Sequence, residues 1–321
     1  MKHELEIMLF TGIKKAVSRS GAGILYYMVL KRFEIIYQAS LSRLSPVLFV
    51  KRRYKKIYGR SIKLRKPETF DEKLLWLMLY WKHPLKTECA DKYTMRSYVE
   101  QKGWGHILPE LLGVYENSSA IDYDTLPDKF VLKCTHGCGF NIICTNKEEF
   151  VRDDAKTKLD KWMKIDYSKV AGELHYHSMK PRIINEKFLD DLAGELPVDY
   201  KVFCFDGKVH CTLIVQERKI AKHQAVFDYY DREWKTKLPY SHSSLRADRN
   251  VGKPAAYDEM LEVAEVLSKP FPFVRMDFYD IKGKAILGEM TFTPSGGIDK
   301  GFTDLCQSTL GNLIKLPPKI L

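Results

Sequence analysis

The sequence has no Cys-x-x-Cys pair, no internal repeat, no low-complexity tract and no apolar run long enough to cross a bilayer. Each absence excludes something. The cysteines, at 89, 134, 138, 144, 204, 211 and 306, total seven, an odd number without a disulfide-framework spacing. That points to a reducing compartment. The longest apolar run, Ile24 to Leu30, falls far short of the roughly 20 residues a spanning helix needs. The opening Met1-Lys2-His3-Glu4-Leu5-Glu6 lacks the basic start of a signal peptide, and no small-residue cleavage site follows a long apolar core. No Gly-Lys-Ser or Gly-Lys-Thr occurs, which excludes a Walker loop. Acidic residues are scarce at one end only. Residues 1–66 hold 16 Lys and Arg against 3 Asp and Glu, whereas the remainder holds 36 against 38. The net charge of +11 therefore belongs to the N-terminal segment, and a chain-wide nucleic-acid binder is excluded.

What is present is ordinary soluble composition, 45% hydrophobic and 29% charged, in 321 residues. That is enough for two domains, or for one large domain with additions. Within residues 1–60 two apolar stretches, Ile24 to Leu30 and Leu44 to Val50, are each followed by cations, Lys31-Arg32 and Lys51-Arg52-Arg53-Tyr54-Lys55-Lys56. Such a mixture suits a helix lying on an anionic membrane surface. It equally suits a helical pair packing on the rest of the chain or on a second subunit.

Periodicity gives a coarse outline. Thr69 or Asp71 caps a helix with an apolar stripe of Leu74, Leu75, Leu77, Met78 and Trp81; Pro84 breaks it, and a second helix runs from about Glu88 to Lys102. Phe130–Cys134 and Asn141–Cys144 read as strands around a glycine loop. Residues 147–164 read as helix, and Arg182–Leu189 as an apolar strand leading into a loop. Tyr200–Phe205 and Val209–Val215 form a hairpin around Asp206-Gly207, and 257–269 is helical. Strands in adjacent pairs with helices between them indicate an α+β chain with antiparallel sheets, not a doubly wound parallel one.

The most informative stretch is Arg275-Met276-Asp277-Phe278-Tyr279, then Lys282-Gly283-Lys284, then Gly288-Glu289-Met290-Thr291. Side chains at i and i+2 share a strand face. A three-residue loop, Ile281-Lys282-Gly283, would put Arg275 and Asp277 on the same hairpin face as Glu289 and Thr291. Two carboxylates then meet beside a guanidinium and a hydroxyl. Mg²⁺ takes such oxygen ligands, completed by phosphate oxygens, and arginine holds phosphoryl groups. The alternative is a solvated hairpin with a surface ion pair, but Phe273, Val274, Phe278, Ile286 and Leu287 are too apolar for a sheet edge. Upstream, Lys133 ends a strand before Thr135-His136-Gly137-Cys138-Gly139-Phe140, a loop whose backbone N–H groups can approach phosphate. A plain hairpin is the rival reading there. Zinc on Cys134, His136, Cys138 and Cys144 is a further rival, although strand alternation scatters these side chains.

These segments, in this order and spacing, resemble the teichuronopeptide-biosynthesis (TupA-like) ATP-grasp family, from about Ser61 to Pro317. The markers are Ala90-Asp91-Lys92-Tyr93 with Arg96, Phe130-Val131-Leu132-Lys133-Cys134 with His136-Gly137, and Pro181-Arg182-Ile183-Ile184. Further markers are Asp199-Tyr200-Lys201-Val202-Phe203, Phe271-Pro272-Phe273-Val274-Arg275-Met276-Asp277 and Gly288-Glu289-Met290-Thr291-Phe292-Thr293-Pro294. The resemblance implies an ATP-grasp fold of two α+β subdomains clamping ATP. The expected divisions are a basic helical segment 1–60, a helical region 61–110, a lid 111–185 and a C-terminal subdomain 186–321. It implies ATP and Mg²⁺ as cofactors. Arg96, Lys133 and Lys201 would contact phosphates, and Gly137 and Gly139 would lie in the loop closing over them. Glu186, Lys187, Phe188 and Leu189 would form the adenine hinge, and Asp199 would fall near the ribose. Asp277, Glu289 and Thr291 would be the metal ligands, and Arg275 would hold an acyl phosphate. Thr291 stands where the fold usually has asparagine.

The implied activity is carboxylate–amine ligation through an acyl phosphate. The implied carboxylate belongs to a uronic acid or acidic glycan component, free or on a nucleotide- or lipid-linked sugar, and the amine to an amino acid or similar partner. The implied location is the cytoplasm, with possible contact of residues 1–60 at the inner membrane face and no nucleic-acid partner. A glycosyltransferase of surface-polysaccharide synthesis is the main alternative; its Asp-x-Asp metal motif is matched only by Asp122-Tyr123-Asp124, in a polar loop. A phosphotransferase on the same fold and a non-catalytic membrane scaffold are further alternatives. Asp277→Asn or Glu289→Gln is expected to abolish ADP formation with the fold intact.

Overall fold

The computed structural model describes residues 37, 40–190, 197–216, 226–245 and 251–320. The apolar run Ile24–Leu30 lies outside the described residues.

Two antiparallel sheets carry the molecule, the α+β arrangement expected. The first has strands β1 (Leu111–Tyr115), β2 (Phe130–Cys134), β3 (Asn141–Cys144) and β4 (Ile183–Lys187) in the order β1-β4-β2-β3. The second has β5 (Asp199–Phe205), β6 (Lys208–Gln216), β7 (Val226–Asp231), β8 (Lys237–Leu238), β9 (Val274–Ile281) and β10 (Lys284–Thr291) in the order β10-β9-β5-β6-β7-β8. The strand β4 crosses position 185 and carries Glu186 and Lys187 into the first sheet.

The helix Phe70–Tyr80 starts at a complete capping box, in which Thr69 accepts from the Glu72 backbone and Glu72 accepts from the Thr69 backbone. It is buried on nearly every side, and Phe70 meets Phe203, Phe205, Phe273 and Phe302 ring to ring. Each such buried ring stabilises the fold by about 1.5–3 kcal/mol relative to exposure. The helix Tyr257–Ser268 covers the opposite face of the second sheet with Met260, Val263, Ala264 and Leu267. The core therefore clamps the second sheet and leaves part of one face for the site.

The single helix expected from Glu88 to Lys102 is two, Pro84–Ala90 and Thr94–Gln101. The reason is Asp91. Its Oδ1 accepts from the backbone N–H groups of Tyr93 at 2.7 Å and Thr94 at 3.1 Å, an aspartate turn that interrupts the helix and starts a new one. That break presents Lys92 towards the glycine loop. Residues 147–164 likewise split, into a 3₁₀ turn at Lys147–Glu149 and a helix at Arg152–Met163.

Candidate active site

The hairpin β9–β10 turns on two residues, not three: Ile281 pairs with Lys284, and Lys282 and Gly283 both have positive φ (56° and 79°). This is the backbone of a two-residue turn that matches strand twist. In an unbroken ladder such a turn would set Asp277 opposite Gly288 and send Glu289 to the other face. A bulge restores the arrangement. Pairing runs Leu287 with Phe278 and then Glu289 with Asp277, so Gly288 is the extra residue. A Cβ at Gly288 would lie 2.9 Å from the Tyr279 ring, so only glycine fits. The juxtaposition read from sequence is present; its device is a bulge, because parity had to be recovered after the shorter turn.

Directly paired residues share a face, and the register lines up Glu289, Asp277 and Lys201 across β10, β9 and β5. Arg275 and Thr291 pair in the next row. Arg275 donates from Nε to Asp277 Oδ1 at 2.6 Å and from Nη2 to Asp277 Oδ2 at 2.7 Å, a two-pronged clamp. The same Nη2 lies 3.2 Å from Thr291 Oγ1 and 3.5 Å from Glu289 Oε1, and Thr291 donates to Glu289 at 3.0 Å. Lys201 donates to Asp277 and lies 3.4 Å from Asp199. Burial alone would raise the Asp277 pKa, but Arg275 and Lys201 outweigh it and bring it down to about 2. Burial would lower that of Arg275, yet Asp277 and Glu289 hold it above its ordinary value.

The first sheet supplies the opposite wall. Lys133 on β2 ion-pairs with Glu186 on β4 at 2.6 Å, and Arg96 approaches the other Glu186 oxygen at 3.5 Å while donating to the Pro109 carbonyl. Between the walls runs a cleft of about 350 Å³. Its lining includes Lys133, Gly139, Glu186, Lys187, Phe188, Leu189, Asp199, Lys201, Arg275, Asp277 and Glu289. Sequence residues from five separate strands and two loops thus meet in one space. Three others stand back from it. Arg96 is held behind Glu186, Gly137 accepts through its carbonyl from Lys92, and Thr291 is tied to Glu289 and Arg275. The cleft has a mixed lining: Val131, Ile143, Phe188, Leu189 and Pro197 are apolar, whereas Lys133, Glu186 and Lys187 of the first sheet and Asp199, Lys201, Arg275, Asp277 and Glu289 of the second are charged.

Lys92, Cys138, Asn141 and Tyr279 also line this cleft, and the sequence reading gave them no role there. Lys92 is the important one. It is buried, donates to the Gly137 carbonyl at 2.8 Å and lies 3.7 Å from Glu289 Oε2. It thereby links the glycine loop to the carboxylate pair. The signal for it was its place directly after the Asp91 cap.

An all-oxygen set of Asp277, Glu289 and Thr291 on one face fits Mg²⁺, which takes one or two carboxylates and leaves its other positions to phosphate and water. The zinc alternative does not fit the same test. Among the described residues no three His, Cys, Asp or Glu side chains gather as a metal cluster. Burial pushes the Cys134 thiol up to about 12, which keeps it protonated and a poor ligand. Asp122-Tyr123-Asp124 is a turn, in which Asp122 accepts from the Asp124 backbone and Asp124 pairs with Arg152.

Two sheets facing each other over such a cleft define an ATP-grasp enzyme, an ATP-dependent ligase. More narrowly, the chain belongs to the TupA-like ATP-grasp family, whose model matches residues 72–315. No curated protein matches the sequence. Among solved structures, D-alanine–D-alanine ligase from Bacillus anthracis is 14% identical with a TM-score of 0.45, covering 83% of this chain and 73% of that one. The ATP-grasp ligase PsnB, complexed with a precursor variant, Mg and ADP, is 14% identical with a TM-score of 0.41, covering 73% and 60%. D-alanine–D-alanine ligase from Helicobacter pylori is 15% identical with a TM-score of 0.38, covering 73% and 60%.

Proposed function

We propose that this ligase joins a carboxylate to an amine through an acyl phosphate. The single observation that carries the reading is the convergence of Arg275, Lys201, Asp277 and Glu289 in one cleft that also has the apolar Val131, Ile143, Phe188 and Leu189 in its lining. That is the layout for a nucleotide with its base on Phe188 and Leu189 and its phosphates at those charged groups. In this reading Asp199 meets the ribose, Glu186 to Leu189 form the hinge, and Lys133, supported by Arg96, neutralises phosphate charge. The loop with Gly137 and Gly139 closes over the phosphates from a lid of residues 111–185, against a body of residues 186–321. Residues 61–110 buttress both.

Asp277 and Glu289, with Thr291, would hold Mg²⁺, which when bound withdraws charge from the triphosphate. The chain's own residues do the rest. Lys201 and Arg275 orient the substrate carboxylate for in-line attack on the γ-phosphorus; the bond to the β-bridging oxygen breaks, and ADP leaves with that electron pair. Arg275 then holds the acyl phosphate while an amine attacks its carbonyl carbon. Phosphate departs and the amine loses a proton, leaving an amide. Closure of the glycine loop excludes water, the competing nucleophile.

The carboxylate is proposed to be a uronic acid or another acidic component of a bacterial surface polysaccharide, and the amine an amino acid, in keeping with the family's teichuronopeptide context. ADP release that requires both a carboxylate and an amine is the expected result in a screen of uronic acids against amino acids. Phosphate transfer to a stable acceptor, or release of a nucleoside diphosphate from a sugar donor, would instead indicate the kinase or the glycosyltransferase.

Peripheral contact with the inner membrane face is part of the same proposal. Among the described residues no helix is long and apolar enough to cross a membrane. The helix Pro46–Tyr58 exposes Leu48, Lys51, Arg52 and Lys55, and Leu44 just before it is 83% exposed. Near an anionic surface each basic residue contributes about 1 kcal/mol. Neutralising two charges, Lys51→Gln with Lys55→Gln, should therefore weaken flotation with phosphatidylglycerol vesicles by roughly 30-fold. Unchanged flotation would remove the membrane contact.

A further inference from the structure

The sheet face that carries the carboxylates does not end at Lys201. The register continues Lys201 to Leu213 on β6 and Leu213 to Tyr229 on β7, with Val215 paired to Phe227 beside them. One face is thus ionic over β10, β9 and β5 and apolar over β6 and β7. Above the apolar part lies a second cavity of about 120 Å³, with Lys201 and Arg275 forming its wall towards the nucleotide cleft. It is somewhat smaller than a cavity of about 150 Å³ that accepts benzene, but it is not enclosed and shares Lys201 and Arg275 with the neighbouring cleft, so it seats only a compact body whose carboxylate reaches those two cations.

Its far rim is the loop from Pro294 to Phe302, and that rim is built. Ser295, Gly296 and Gly297 all have positive φ. Arg53 donates to the Gly296 carbonyl at 2.6 Å and the Ser295 carbonyl at 3.2 Å, fixing the loop from behind. Asp299 accepts from the Gly301 backbone at 2.8 Å and from the Ser295 hydroxyl at 2.9 Å, which fixes its carboxylate at the cavity edge. The cavity therefore has two cations on one side, an aromatic and aliphatic floor, and a single carboxylate on the rim.

We infer that this cavity seats the carboxylate substrate, and that the substrate is a compact acid with an apolar or C–H face and a hydrogen-bond donor at the end remote from its carboxylate. Arg275 and Lys201 take the carboxylate and thereby aim it at the γ-phosphate. Phe203, Phe227 and Tyr229 take the body, and Asp299 accepts from the remote donor. Two sources supply that chemistry: the hydroxyls of a sugar acid, or the ammonium of an ω-amino acid. A long unbranched polyanion does not match, because only one side of the cavity is cationic. The inference rests on the ligase reading, since it is the adjoining nucleotide that makes this carboxylate the one activated.

Calorimetry with the full chain, Mg²⁺ and a non-hydrolysable ATP analogue tests it, using D-glucuronate, 5-aminopentanoate and 4-methylpentanoate as probes. Glucuronate or 5-aminopentanoate is expected to bind at least tenfold more tightly than 4-methylpentanoate, which lacks the remote donor. Asp299→Asn should erase that preference, and Leu213→Trp, which fills the floor, should weaken binding at least tenfold. Nucleotide affinity and melting temperature show whether each variant is folded. Binding of all three acids alike, binding unchanged in both variants, or no acid binding while Mg-nucleotide binds, would each overturn the inference and leave the ligase reading standing. Failure of the nucleotide itself to bind would instead strike at that reading.

Discussion

Asp277→Asn is expected to lower ADP formation by about 10³-fold, and also to destabilise the protein by about 3 kcal/mol. The two effects have different origins. The first follows from loss of the negative charge proposed to hold Mg²⁺ in the cleft. The second follows from burial: Asp277 is 3% exposed and neutralises both Arg275 and Lys201. Asn leaves those cations facing a neutral amide, and a buried pair broken from one side costs more than it contributes intact. The sequence-based expectation of an untouched fold is therefore refined by burial. Glu289→Gln provides the contrast, because the Glu289 side chain is 31% exposed and its loss should impair ADP formation with little change in melting temperature. Paired kinetic and thermal measurements on both variants check this; near-normal turnover in either removes its carboxylate from the metal site. Because Asp277 has a folded pKa of about 2, below its unfolded value near 4, its stabilising contribution is complete above about pH 4 and is lost only as pH falls towards 2.

Gly288→Ala is expected to reduce activity by about 10²-fold, although it touches no charged group. The new methyl would stand 2.9 Å from the Tyr279 ring and 3.3 Å from the Asp277 carbonyl. Either Tyr279 moves, in the wall of the cleft, or the bulge closes. Closing it shifts the register by one residue and turns Glu289 to the helix-covered face, far from Asp277. Overpacking of this kind costs about 1–3 kcal/mol in stability. Deletion of Gly288 separates the two routes. It leaves Leu287 opposite Phe278 and Glu289 opposite Asp277 in a regular ladder, so it should retain more activity than the alanine variant. Steady-state kinetics on the two variants decide the matter, and wild-type activity in Gly288→Ala would show that the bulge is dispensable.

The hairpin also shows what can be read from a sequence and what cannot. Residue types and i, i+2 spacing were enough to bring Arg275, Asp277, Glu289 and Thr291 to one place, since strand alternation is a local rule. The turn length was misjudged because Lys282 at positive φ is unusual for a non-glycine residue. The error cancelled only because the bulge at Gly288 shifts parity once more. Lys92 was missed as a site residue for a related reason. Helical periodicity ran smoothly from Glu88 to Lys102, whereas Asp91 interrupts it with side-chain hydrogen bonds that compete with the helix. The position of Arg96 was illegible because it depends on a partner, Glu186, from a strand 90 residues later. The cavity over β6 and β7 was illegible too, since it exists only once Pro294–Phe302 folds back over the sheet.

The most direct measurement is the structure of the full chain with Mg²⁺ and a non-hydrolysable ATP analogue. The expected result places the metal between Asp277 and Glu289, the base against Phe188 and Leu189, and the terminal phosphate within reach of Arg275. A nucleotide bound elsewhere, or a metal that avoids both carboxylates, would contradict the account.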